Sequence, residues 1–596
     1  MSNFTTRPDI RGTFGTVAST HWIASQTGMG ILERGGNAFD AAVATALVLQ
    51  VVEPHLNGPA GDLPAIIHVA DTGETRVLCA QGVAPKGATM DHYREHFGDG
   101  LIPGSGLLAT VVPGAFDGWM LMLRDHGSME VADVMAPAIG YARDGHPMLP
   151  RVANTIAGLA DFFRTEWPSS AQTWMPDDIA PTEWALFRNP DLAATWQGLV
   201  DAATGDSRQA RIDAARKAWS QGFVADAICD YLADAHVMDV SGSAHSAVLS
   251  RQDLAEWEAS WEDTLSIDYH GWTVHKTAPW SQGPVMLQGL QILKHFDLAA
   301  MDPMGAEFVH TVTEAMKLAY ADREAYYGDP DFFDIPMDTL LSPDYAAERA
   351  KLITGTANMD QRPGRIAGFE HLADDAILRA ATDFNAARGA SAGEPTMAHL
   401  TEKRGDTVHI DVIDQWGNMV SATPSGGWLQ SSPVIPGLGF PLNSRAQMFW
   451  LRDGLPTSLT PGARPRTTLT PSLAEKDGTR IAFGTPGGDQ QDQWQLIWFL
   501  RYVHHGLSMQ QGMDAPLFHT AHFQSSFYPR DAVPGELMVE PSLGDTAISD
   551  LRARGHKVTV AEPWSIGRLT AARRESDGML TAAATPRLMQ AYAVGR

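Results

Sequence analysis

Cysteine is scarce: the 596-residue chain holds two, Cys79 and Cys229, and no CxxC. Two thiols exclude a disulfide framework and a four-thiolate zinc site. Positive charge is scarce too, with 44 Lys and Arg against 70 Asp and Glu, a net charge of −26. A surface of that sign repels phosphate backbones and anionic lipid, so neither nucleic acid nor membrane is an expected partner. Long apolar runs are missing. The greasiest helical stretch, Ala41 to Val52, contains Thr45 and Gln50 and falls far short of the ~20 residues a membrane span needs. No basic-then-apolar leader opens the chain at MSNFTTRPDIRGTFG, so a cytoplasmic location is expected. Neither HExxH nor a P-loop occurs. What is present is 44% hydrophobic and 19% charged residues, the balance of a globular chain with a large core, which excludes disorder as the main state.

Asn37 followed by Ala38 to Leu47 reads as an Asn-capped, Ala-rich helix, apolar nearly all round and ended by Pro54. The small-residue loop Asn57-Gly58-Pro59-Ala60-Gly61-Asp62 follows, then a strand at Pro64 to Val69 turning at Asp71-Thr72-Gly73. From Pro113 to Ala350 the periodicity is mostly helical, clearest from His310 to Tyr326. A polar stretch from Asn358 to Lys403 lacks any long period. After it, Thr407 to Val412 alternates polar and apolar as a half-buried strand does, Asp414 to Asn418 makes a turn, and Met419 to Thr423 returns. Strands are also expected at Ser472 to Glu475 and Arg480 to Phe483. The glycine-rich loop Gly484-Thr485-Pro486-Gly487-Gly488-Asp489 then leads to a helix over Trp494 to Val503. Composition alone puts a domain boundary near residue 400.

Several motifs carry no chemistry. The GxSxG string Gly389-Ala390-Ser391-Ala392-Gly393 has no strand before it. Gly28-Met29-Gly30-Ile31-Leu32-Glu33 has Glu at the third glycine of a dinucleotide fingerprint, which suits helix packing better than a cofactor. His519 and His522 have no third ligand nearby in sequence. No metal and no cofactor are expected.

Gly405-Asp406-Thr407 heads the first late strand. A threonine hydroxyl becomes a useful nucleophile when a base lies beside it, and a free α-amine on the same residue serves. That requires the bond between Asp406 and Thr407 to be cut. The tripeptide alone is equally a turn into a strand, and it recurs at Gly544-Asp545-Thr546 before a helix start.

The longer block Gly405 to Thr423, GDTVHIDVIDQWGNMVSAT, resembles the processing-site hairpin of the γ-glutamyltransferase family, N-terminal-nucleophile hydrolases that cleave themselves before a threonine. Further blocks similar to that family occur in the same order: Gly35 to Ala42, Val51-Val52-Glu53-Pro54-His55, Val112-Pro113-Gly114, Ala142 to Gly145, Glu314 to Arg323, Gly328 to Asp331 and Thr485 to Gly488. The resemblance runs from about Arg11 to Arg587. It implies a four-layer αββα sandwich built from two self-cleaved fragments, residues 1–406 and 407–596, as one intertwined domain. It implies Thr407 as nucleophile, its freed amine as base, and Gly487 and Gly488 as the oxyanion hole, where glycine lets bare N–H groups approach a developing charge. Ser425 matches a hydroxyl that assists processing. Thr467 and Thr468 match paired hydroxyls on the substrate's α-carboxylate, and equally suit a β-branched strand segment.

The departures from the family lie in its glutamyl pocket. Met90 stands where the family's Arg holds the α-carboxylate, Met448 where its Asp pairs with the α-amino group, and Gly427 where an Asn touches the same head. Arg445 replaces a Gln and offers a carboxylate a new partner. The expected function is therefore a self-processing amidohydrolase or acyltransferase acting on a γ-glutamyl-type or related small acyl amide, with hydrolysis favoured over transpeptidation. An acyl group with a carboxylate but no α-amino group is favoured, as in relatives acting on glutaryl or oxamate amides. The acceptor is water or an amine. The expected form is a processed α/β heterodimer, or two such pairs as a heterotetramer. The alternatives are an ordinary glutathione or γ-glutamyl peptide hydrolase and, from another class, an unprocessed scaffold protein.

Overall fold

The computed structural model describes residues 4–382 and 407–596. Asp406, the Gly405-Asp406 half of the expected cleavage site and the Gly389–Gly393 string lie outside the described residues. Two seven-stranded sheets stack face to face. In the first the order is Tyr592–Gly595, Gly15–Ser19, Ile410–Asp414, Met419–Ala422, Leu63–Val69, Glu74–Ala80 and Ser260–Asp263. In the second it is Ile10–Gly12, Leu580–Ala584, Thr570–Arg574, Thr479–Gly484, Ser472–Lys476, Trp272–Lys276 and Leu265–Tyr269. All neighbours in both are antiparallel.

The period-2 pattern of the late hairpin explains the layering. Ile410, Val412 and Val420 turn to the helical side, where the helices Trp22–Glu33 and Ala38–Val52 cover the sheet. Ile413 and Met419 turn inward to meet Leu473, Ala482 and Ala572 of the second sheet. On that sheet's outer face lie Pro284–Leu293, Ala306–Tyr326 and Gln491–His505. This is the αββα sandwich.

Both sheets contain strands from before and from after residue 406, so the composition change near residue 400 marks no domain boundary. The mostly helical reading of the middle missed Ser260–Asp263, which pairs with the distant Glu74–Ala80, and the hairpin of Leu265–Tyr269 and Trp272–Lys276, whose turn residues His270 and Gly271 both have positive φ. The polar stretch after Asn358 also holds a helix, Glu370–Ala380. Gly28 packs on Thr45 and Val17, so the failed dinucleotide fingerprint is a helix contact. His522 accepts from Gly535 N (3.0 Å) and its other ring nitrogen lies 3.1 Å from the Asp360 carbonyl. Among the described residues no helix is long and apolar enough to cross a membrane.

The helix Ala38–Val52, buried at every position, is tied at its start to the hairpin. Ala38 N donates to Asp414 Oδ2 (2.9 Å), while Asp414 Oδ1 accepts from the N–H groups of Trp416, Gly417 and Asn418. Asn37 and Asp40 close a capping box, and Asp40 also accepts from Ser128 N and Oγ and Met129 N. Replacing Asp40 by Ala strands these donors. The expected loss is about 2–4 kcal/mol of stability in urea unfolding, and a loss below about 1 kcal/mol would contradict the role given to this carboxylate.

Candidate active site

Thr407 is buried and opens the late hairpin. It pairs across an antiparallel bridge with Ser425, and Ser425 pairs on its other side with Asp62. Directly opposed residues of antiparallel strands present their side chains on one face, so Thr407, Ser425 and Asp62 form a row. Thr407 Oγ donates to Ser425 Oγ at 3.2 Å. Asp62 N donates to Ser425 O (2.7 Å) and Ser425 N to Asp62 O (3.1 Å).

Two residues along, His409 sets the hairpin against the second sheet. Its ring bridges Thr423 Oγ (2.8 Å) and Asp411 Oδ1 (3.0 Å), and Thr570 Oγ donates to Asp411 Oδ2 (2.7 Å). The ring lies so close to Gly484 that a Cβ there would sit 2.2 Å from it. The segment Thr485 to Gly488 continues from this contact, which relates the glycine pair to Thr407. Gly487 has φ 140° and Gly488 φ 55°, conformations that favour glycine.

The far side of the glycine loop is held by buried ions. Asp489 accepts from Arg323 Nη1 (2.5 Å), Ser526 Oγ (2.6 Å) and Ser526 N (2.8 Å). Gln282 donates from Nε2 to Gly488 O (3.3 Å) and from its backbone N to Thr467 O (2.9 Å), while its Oε1 accepts from Arg323. Glu324 faces Arg323 (2.7 Å) and Arg466 (2.9 Å). Burial by itself would raise the Glu324 carboxyl, but Arg466, Arg323, Arg379 and Arg530 outweigh it and hold the group at about 2.

Arg445 is completely buried and its Nε donates to Asp62 Oδ2. Asn443 places it: Nδ2 donates to Ala60 O (2.9 Å) and Val111 O (3.0 Å), and Oδ1 accepts from Arg445 N (3.2 Å). The guanidinium lies over the Trp428 ring, 5.0 Å from its centroid, and Trp428 meets Phe527 at 6.2 Å. Phe527 in turn borders Gly488. Gly426, at φ 76°, is in a conformation that favours glycine, and a Cβ there would crowd Arg445 Nε and Asp62 Oδ2, 3.3 Å from both. The carbonyls of Pro54, His55 and Leu56 accept from Leu429 N, Gln430 Nε2 and Trp428 Nε1. Beside them Glu53 is buried and accepts from Thr20 Oγ at 2.6 Å; burial lifts its carboxyl to about 7.

The structure thus brings Thr407, Ser425, Gly427 and Arg445 into one region, with Gly487 and Gly488 joined to it through His409 and Phe527. Thr467 and Thr468 part company: Thr467 Oγ accepts from Leu469 N (3.4 Å), whereas Thr468 Oγ is buried without a partner among the described residues. Met90 begins the helix Met90–Phe97 and packs against the apolar cluster containing Ala446 and Phe449. Met448 is buried beside Arg445 in the turn Arg445–Met448. Asp62, Trp428, Phe527 and His409 were not singled out by sequence reasoning, and nothing in the Asn57–Asp62 loop marks its last carboxylate as the partner of an Arg 383 residues away.

Residues 24–595 match the family model for gamma-glutamyltranspeptidase. The chain belongs to the gamma-glutamyltranspeptidase family. It is 29% identical over 97% of its length to the glutathione hydrolase-like YwrD proenzyme of Bacillus subtilis (strain 168), covering 98% of that protein. It is 30% identical over 96% of its length to the oxamate amidohydrolase proenzyme of Klebsiella pneumoniae, covering 97% of it. The solved structure of LmbA2991T421A superposes with a TM-score of 0.92 at 51% identity, covering the whole of both chains. The chain is therefore an enzyme of the amidohydrolase and acyltransferase kind, with the N-terminal-nucleophile hydrolase sandwich of this family.

The depressed Glu324 acidity has a measurable consequence. A carboxylate whose folded value is lowered from 4.5 to about 2 stabilises the fold at pH values above 4.5, and that contribution disappears as pH falls towards 2. Glu324→Gln is expected to cost about 3–5 kcal/mol at pH 7. The gap between wild type and variant in urea unfolding should narrow as pH falls from 4.5 towards 2. A gap independent of pH would sink this account.

Proposed function

We propose that the chain is a proenzyme that cleaves itself between Asp406 and Thr407, giving fragments 1–406 and 407–596 that stay together as an α/β pair. The freed Thr407 amine then takes the Oγ proton as the hydroxyl attacks an amide carbonyl. Gly487 and Gly488 offer their N–H groups to the tetrahedral oxyanion, and the leaving amine departs with a proton. Water, activated by the same amine, releases the acyl group and restores Thr407 Oγ–H. Ser425, in hydrogen-bond contact with Thr407, assists the first cut. The substrate is a γ-glutamyl-type or related small acyl amide carrying a carboxylate, and hydrolysis is favoured over transfer to an amine.

The observation that carries this reading is the placement of Thr407. It is buried at the head of the central hairpin, its hydroxyl 3.2 Å from Ser425, with the glycine loop fixed to the same hairpin through His409. A scission there leaves the nucleophile anchored, because the residues after it are held on both sides by Gly15–Ser19 and Met419–Ala422.

Intact mass of the purified protein under denaturing conditions tests the cut. Two fragments dividing at Asp406 and Thr407 are expected in wild type, and one uncut chain in Thr407→Ala. The processed enzyme should release aniline from an acyl anilide of γ-glutamyl or glutaryl type, with added glycylglycine raising the rate less than twofold. An uncut, inert wild-type chain after long incubation would replace this reading with the scaffold protein.

A further inference from the structure

Away from the Thr407 hairpin, three imidazoles from two segments of the chain come together. The helix Met90–Phe97 turns Tyr93 inward, where its hydroxyl donates to Leu108 O (2.5 Å). His92 and His96 stand one turn apart on another side of that helix, with ring centroids 5.0 Å apart. His245 comes from a two-stranded hairpin, Val237–Met238 with Ala244–His245, and its ring centroid is also 5.0 Å from that of His96. With Zn–N bonds of about 2.0–2.1 Å, two imidazoles on one tetrahedral ion have centroids ~5 Å apart. Arg94 is directed elsewhere, to Leu451 O (3.2 Å) and Asp453 (3.1 Å).

The third ring is prepared for a metal bond. His245 Nδ1 lies 2.7 Å from Asp239 Oδ2. A carboxylate accepts, so Nδ1 carries the proton and the neutral ring keeps its lone pair on Nε2. The Asp239 side chain is wholly buried and is fixed in turn by Ser241 N at Oδ1 (2.7 Å). A carboxylate behind a histidine in this way is what orients imidazole ligands on metals. Among the described residues nothing hydrogen-bonds Nε2 of His245 or the rings of His92 and His96.

A tighter cluster, His310, Glu314 and His556, has ligand atoms within 4.8 Å of one another. There Glu314 is already bonded to Lys317 Nζ (2.6 Å) and Arg362 Nη2 (3.0 Å), and two cations on its carboxylate oppose a third. Around His96 the neighbouring charged side chains are the acids Glu95 and Asp239, and the chain's net charge of −26 adds to the attraction of a cation.

We propose that His92, His96 and His245 bind a divalent transition-metal cation of the zinc or nickel kind, with Asp239 orienting His245. His96 and His245 already have the spacing, and His92, half-buried, completes the set by turning its side chain. Three imidazoles with no carboxylate among them suit such borderline ions rather than calcium or magnesium. The ion joins the helix that begins at Met90 to the hairpin whose turn is held by Ser105, which accepts from Val240 N (3.0 Å). The spaced histidines of one helix carry no signal until His245, distant in sequence, is set beside them, so the expectation of a metal-free chain gives way here. The site stands or falls independently of the Thr407 reading.

Calorimetric titration of the EDTA-treated full-length protein with zinc chloride tests the site. One ion per chain is expected, with a Kd of ~10 μM or tighter. His96→Ala and His245→Ala should each weaken binding more than about tenfold. His92→Ala should weaken it about tenfold, and Asp239→Asn about tenfold through His245. Zinc should raise the thermal midpoint of wild type and leave that of His96→Ala unchanged. No binding at about 100 μM zinc, binding that survives His96→Ala, or wild-type affinity in His92→Ala would each overturn the proposal. His96 is exposed, so its variant decides the question even if His245→Ala fails to fold.

Discussion

The pairing of Ser425 with Thr407 on one side and Asp62 on the other is the constraint on which the site depends. One residue carries the backbone bonds that place Thr407 and the carboxylate holding Arg445 in a single row. Because the spacing of paired strands is set by backbone hydrogen bonds, the separation of Thr407 from the Asp62–Arg445 pair is a property of the main chain. Side chains then decorate it. Gly426, bare and at positive φ, lies against both Arg445 and Asp62, and Asn443 supplies bonds that hold the Arg445 backbone.

The second anchoring device is His409, which belongs to the nucleophile's own strand yet bears on the glycine loop's strand through Gly484. Its ring is held within a string of hydroxyls and one carboxylate, Thr423, Asp411 and Thr570. Buried polar groups satisfied in this way rigidify their surroundings. Across the loop, Arg323, Asp489, Glu324 and Arg466 do the same with charge, and the cost of burying those ions is met by their mutual contacts. The glycine pair is thereby held from both faces, as the oxyanion role proposed for it requires of its donors.

Interleaving explains how a chain of this kind can be cut without coming apart. The strands on either side of Ile410–Asp414 are Gly15–Ser19 and Met419–Ala422, and the outermost strand of the same sheet is the C-terminal Tyr592–Gly595. A break before Thr407 severs no ladder bond of that sheet. Cut there, the two pieces would stay joined by two shared sheets and the apolar layer between them.

Local patterns made much of this legible. The capped helix after Asn37, the Thr407 hairpin, the strands near Ser472 and Arg480 and the helix after the glycine loop all follow from alternation, capping and turn chemistry, which act over a few residues. The family blocks pointed to Thr407, Ser425, Gly487 and Gly488 because each motif is contiguous. What the sequence by itself determined is therefore the elements, the family and the local structure around Thr407. Tertiary structure alone decided that the apparent boundary near residue 400 runs through shared sheets, that Ser260–Asp263 is a strand, and that Asp62 meets Arg445. Those outcomes depend on partners hundreds of residues apart, and no periodicity within either segment records which distant strand or charge it will meet.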